Sequence, residues 1–101
     1  MGKSEVDVIV HWVDVNENGK VKLPVNTPYY VITDPLKGAS GKQNSWSLVL
    51  KIHTNSGKDV NRIGFGKAYF LVDDAPSELL VKGFSLKVYE GKKFVAIVEI
   101  T

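Results

Sequence analysis

Along several short segments of the chain apolar residues recur at every second position, the period of a half-buried strand. Val6, Val8, Val10 and Trp12 fall on one side of the first segment; Asp7, Ile9, His11 and Val13 fall on the other. Both sides are partly apolar, which predicts a central strand or one that bends between packed sheets. Asn16-Glu17-Asn18-Gly19 predicts a polar turn, with Asn18-Gly19 a two-residue hairpin signal. Prolines at 24, 28 and 35 break up the next stretch and leave Tyr29 to Thr33 as a short strand near an edge. Residues 34–44 lack periodicity and predict an exposed loop. Alternation then returns, with Trp46, Leu48, Leu50 and Ile52 set against Ser47, Val49, Lys51 and His53.

A turn over 54–59 leads to a strand over 67–72. Pro76 near the start of 74–80 predicts one capped helical turn. Two last strands, 84–89 and 94–100, meet across Glu90-Gly91-Lys92-Lys93. No segment of helical length carries a helical stripe. Six or seven short strands at regular turn spacing predict an all-β, antiparallel barrel or sandwich. The 101 residues make one domain, with 1–5 a disordered tail.

Composition adds limits more than identity. The hydrophobic fraction of 44% is that of a chain with a core, which argues against disorder. Cysteine is absent, so disulfides and thiolate metal sites are excluded. No apolar run is long enough to cross a membrane as a helix, no leader-like stretch follows Met1, and the expected location is the cytoplasm. A net charge of +2 with interspersed signs falls short of the basic excess of a dedicated nucleic-acid binder.

The order Ala68-Tyr69-Phe70-Leu71, Ala75-Pro76, Leu79-Leu80, Gly83-Phe84-Ser85-Leu86, Glu90-Gly91-Lys92-Lys93-Phe94-Val95-Ala96 and Val98-Glu99-Ile100 resembles a known ending. It is similar to the C-terminal, third β-barrel domain of elongation factor Tu. The segment Asn26-Thr27-Pro28-Tyr29-Tyr30-Val31 resembles an earlier motif of that domain, without its arginine. The resemblance implies a six-stranded Greek-key barrel, here as a small free-standing protein. In the family this domain contacts a GTPase domain and tRNA, but Thr27 and Lys93 stand where arginines would be expected.

Apparent motifs resolve into turns and core. Asp14-Val15-Asn16-Glu17-Asn18-Gly19 opens like an EF-hand loop, yet Val25 occupies the position of the bidentate glutamate. Lys82-Gly83-Phe84 imitates an RNA-recognition signature without the second aromatic, so Phe84 is expected in the core. Gly38 to Lys42 and Gly64-Phe65-Gly66-Lys67 fall short of a phosphate loop; the latter glycines suit a bulge or left-handed turn. His11 and His53 stand apart from carboxylate clusters, and no nucleophile is positioned beside a base.

These features point to a non-catalytic protein-interaction module with no cofactor and no metal, its partner an unidentified protein and homo-oligomers possible. The alternative is a tRNA-like RNA-binding accessory domain; a small-molecule or enzymatic barrel ranks behind both. The residues expected to contact a protein or RNA are Tyr29, Tyr30, Arg62, Lys67, Lys92 and Lys93. They combine stacking rings with cations for phosphate.

Overall fold

The computed structural model describes residues 5–37, 41, 43–58 and 60–101. The strands are β1 (Val6–Trp12), β2 (Pro28–Thr33), β3 (Leu36–Lys37), β4 (Gln43–Asn44), β5 (Ser47–Ser56), β6 (Ile63–Phe70), β7 (Ser85–Glu90) and β8 (Lys93–Ile100). Six of them close an antiparallel barrel in the order β1-β6-β5-β2-β7-β8, while β3 and β4 pair separately. Only two 3-10 turns, Val15–Glu17 and Ser77–Leu79, interrupt this all-β architecture among the described residues.

Alternation decides what lies inside. Val8, Val10 and Trp12 of β1 meet Val31, Leu48, Leu50, Ile52, Ala68, Phe70, Leu86, Val88, Val98 and Ile100 in one core. Each fully buried aliphatic side chain contributes roughly 1.5–3 kcal/mol through area removed from water. The other side of β1, Asp7, Ile9 and His11, faces away from this core. Phe84, expected in the core, packs against it while remaining partly accessible.

Two bulges break the alternation. In β5, Ile52 pairs with Gly66 and Thr54 with Phe65, so His53 is an extra residue. Gly66 makes that bulge possible, because a Cβ there would collide with the Lys51 carbonyl oxygen. In β8, Ala96 pairs with Val88 but Phe94 with Tyr89, leaving Val95 as the extra residue. Val95 and Ala96 are consequently both buried, and Phe94 is turned to the outside.

Several sequence expectations are corrected by this topology. Asn18-Gly19 is not a hairpin turn: β1 pairs with β6 and β8, never with β2. Asn18 instead ends the 3-10 turn in a left-handed conformation (φ 68°), and the Gly19 N–H donates to the Asp14 carbonyl at 2.8 Å. Nor is β2 an edge strand, since it lies between β5 and β7. Its proline sits at the first position, where a missing donor is tolerated. Residues 34–44, a loop by their lack of periodicity, contribute β3 and β4; Gly38, Ala39, Ser40 and Lys42 lie outside the described residues. The disordered tail expected over 1–5 also lies outside them except for Glu5, which accepts a hydrogen bond from Lys51 Nζ at 2.7 Å.

Candidate functional site

The six residues expected at a contact surface go to different places. Arg62 is the clearest departure: it is 1% exposed, among the largest fully buried side chains of the protein. Its Nη1 donates to the Lys20 carbonyl at 2.5 Å and its Nη2 to the Val13 carbonyl, with Nε unpartnered among the described atoms. The guanidinium thus fastens the connection after β1 across one end of the barrel. It cannot meet a phosphate or a partner's side chain from there. The sequence held a signal for this, because Arg62 shares the phase of Gly64, Gly66, Ala68 and Phe70, all inward positions of β6.

Tyr29 and Tyr30, consecutive on β2, point opposite ways. Tyr29 is half-buried at the same barrel end as Arg62, its ring 6.0 Å from that of Trp12. Its hydroxyl donates to Glu90 Oε1 at 2.5 Å, and Lys20 Nζ reaches the same oxygen at 3.1 Å. Burial, and then the neighbouring Glu90 carboxylate, push the Tyr29 phenol well above its ordinary range. The hydrogen bond from Tyr29, with that from Lys20, holds Glu90 below the usual carboxylate range. These side chains have a structural task. Strands β2 and β7 share only two residue pairs, Ile32 with Tyr89 and Thr33 with Val88. Where their backbones part, the Tyr29–Glu90–Lys20 bridge spans the gap.

The lysines are dispersed. Lys67 lies on the outer wall of β6 and donates to Asp7 Oδ1 at 2.9 Å. Lys92 and Lys93 are exposed at the β7–β8 turn, where Lys93 pairs with Glu90 across the hairpin. Lys93, Tyr29 and Glu90 are therefore brought to one barrel end, the end at which Arg62 is buried, whereas Lys67 and Tyr30 lie on the outer wall. The expected cations form no single face: Arg62 is buried, Lys67 lies on β6, and Lys92 and Lys93 are at the β7–β8 turn.

What the outer wall does carry is an apolar band. Tyr30 is 58% exposed and Ile32, two positions on, 43%. Ile32 neighbours Tyr89 across the β2–β7 pairing. The Tyr89 ring is 5.6 Å from that of Phe94. Phe94 in turn shares a groove with Ile97, itself partly exposed. On the other flank Tyr30 pairs with Val49, which is fully buried, and Val49 with the partly exposed Tyr69; Leu71 beyond Tyr69 is exposed. Of these, only Tyr30 was expected from the sequence. The available signal was apolar residues out of phase with the core, such as Ile32 beside Val31 and Ile97 beside Val98.

The groove at the end of the band holds about 350 Å³ and is lined by His11, Trp12, Val13, Asp14, Glu17, Phe94 and Ile97. A smaller recess of about 190 Å³ lies by the β5 bulge, against Asn26, Thr27, Pro28, Lys51, Ile52 and His53. Among the described residues no three histidine or carboxylate side chains converge as a metal centre would require, and no helix is long and apolar enough to cross a membrane.

Comparison with protein-family models, curated proteins and solved structures finds no match to this chain.

Proposed function

We propose that this protein is a non-catalytic interaction module that docks a protein partner on the outer wall of its barrel. The observation that carries the reading is the continuous line of outward apolar and aromatic side chains, with Tyr30, Ile32 and Ile97 exposed and Tyr89 and Phe94 between them partly exposed. Aromatic residues on a rigid backbone lose little entropy on binding and are typical anchors of interfaces. A closed barrel has no unpaired strand edge, so docking by its wall goes through side chains rather than strand addition. The scattering of the cations favours this reading over RNA, because phosphate binding needs charges along one path.

The strand order also supports the kinship with the third domain of elongation factor Tu. Strands β2, β5 and β6 are consecutive neighbours, and β1 lies beside β6, the arrangement of a Greek key read in reverse. The kinship concerns shape; the docking surface is argued from the band alone.

Affinity capture from a cell extract tests the proposal with three forms of the full chain: wild type, the pair Ile32→Thr/Phe94→Thr, and Val21→Thr. Val21 is 79% exposed and lies outside the band, and threonine preserves strand propensity. A partner retained by wild type and Val21→Thr but lost from the band variant is the expected result. Equal retention by all three, or no retained protein, contradicts the proposal.

A further inference from the structure

The groove at the end of the band differs from the rest of it in carrying acid. Val13, Phe94 and Ile97 supply an apolar surface, and Asp14 and Glu17 supply two carboxylates. Beside them, Glu99 Oε1 lies 3.0 Å from His11 Nε2 and is held on the outer wall. His11, engaged with Glu99, lines the groove as well, and Lys87, whose Nζ sits 5.9 Å from the Phe94 ring centre, is a cation beside it. In a chain of net charge +2, this recess gathers carboxylates beside apolar side chains.

One of its carboxylates, that of Asp14, is also held in place in advance. The Asn61 N–H donates to Asp14 Oδ1 at 3.1 Å, while the Asp14 carbonyl accepts from the Glu17 and Gly19 N–H groups. Arg62 pins the same connection at the Val13 and Lys20 carbonyls. A carboxylate ordered before binding spares a ligand the cost of ordering it.

From this charge complementarity, and from the groove's continuity with the docking band, we propose that it receives an arginine side chain of the protein partner. The aliphatic stem lies along Val13 and Ile97, and the guanidinium faces Asp14 and Glu17. Arginine suits the site better than lysine because its planar fork of donors matches carboxylates and its weaker hydration favours a half-apolar recess. The proposal rests on the protein-docking reading and adds the chemistry of the partner: an apolar segment with an arginine at the β1–β8 end.

The test uses the full chain, labelled with ¹⁵N, and two small probes at millimolar concentration: N-acetyl-arginine amide and its neutral isostere N-acetyl-citrulline amide. Saturable shifts at Asp14, Glu17, Phe94 and Ile97 with the arginine probe, at least fivefold weaker with citrulline, are expected. They should be lost in Asp14→Asn/Glu17→Gln, in which the new side-chain amide oxygen still accepts from the Asn61 N–H and the fold is kept. Equal response to both probes, shifts elsewhere, or binding unchanged in the double variant overturns the proposal. Because the probes need no partner, this outcome is independent of the capture experiment. A band-dependent partner with no arginine response leaves protein docking standing and removes the arginine site.

Discussion

Tyr89 and Phe94 face each other on the outside of the barrel, their ring centres 5.6 Å apart, because Val95 is an extra residue in β8. Strict alternation would place Phe94 in phase with Ala96 and Val98, both fully buried. The bulge converts a core aromatic into a surface one and joins β7 to the apolar band on β2. Phe94→Ser should accordingly destabilise the protein by less than about 1.5 kcal/mol, whereas Phe70→Ala, which empties a core site, should cost about 3–5 kcal/mol. Urea unfolding of the two variants checks the contrast.

The buried Arg62 gives a second test. Removing its guanidinium leaves the Val13 and Lys20 carbonyls without a donor. We expect Arg62→Met to lose roughly 2–4 kcal/mol, with hydrogen bonds to charged groups and unsatisfied acceptors both contributing. Amide exchange should accelerate first over residues 13–20, ahead of β5 and β6. Uniform acceleration would mean that Arg62 does not act through that connection.

Gly66 is required by its distance to the neighbouring backbone rather than by its φ. A methyl group there meets the Lys51 carbonyl oxygen, so Gly66→Ala should cost about 2–3 kcal/mol by forcing the bulged strand away. Gly91→Ala, at a position with φ 62° but nothing near its Cβ, should cost less, of order 1 kcal/mol. Thermal unfolding of both variants ranks them directly.

The barrel's strands and inner faces were readable because alternation is local. Val8, Val10 and Trp12, or Leu48, Leu50 and Ile52, announce their side by spacing alone. Gly64 and Gly66 hinted at a bulge, but that the extra residue is His53 of the partner strand was not readable, nor was the bulge at Val95, since each depends on a partner strand and adds one residue without changing composition. Barrel closure was equally hidden: the pairing of β1 with β8 joins residues more than eighty positions apart, which no local pattern encodes. The surface suffered for the same reason. Arginine on a loop-to-strand boundary reads as solvated, and only the inward phase of β6 reveals that Arg62 is not.

The Tyr29–Glu90 bridge predicts a pH signature. Glu90 is depressed in the folded state by the Tyr29 hydroxyl and Lys20. Its contribution is therefore complete above the unfolded carboxylate pKa and is lost as pH falls through the lower folded value. Because Glu90 is largely accessible, the advantage of wild type over Glu90→Gln should stay below about 1 kcal/mol at pH 7 and disappear as pH falls through the depressed folded value of Glu90. Tyr29, raised by burial and by Glu90, stabilises the fold below the free phenol pKa and ceases to do so as pH rises through its folded value. Tyr89 is raised as well, by its hydrogen bond to Asp34, so in a titration followed at 295 nm Tyr29→Phe should remove the tyrosine that ionises last.

Cross-saturation from an unlabelled partner to methyl-labelled protein tests the docking surface most directly. Signal loss is expected at the methyls of Ile32, Leu71 and Ile97 on the outer wall, with Val21, Val25 and Val60 unaffected. Loss centred on those three valines, with the wall methyls unchanged, would contradict docking on that wall.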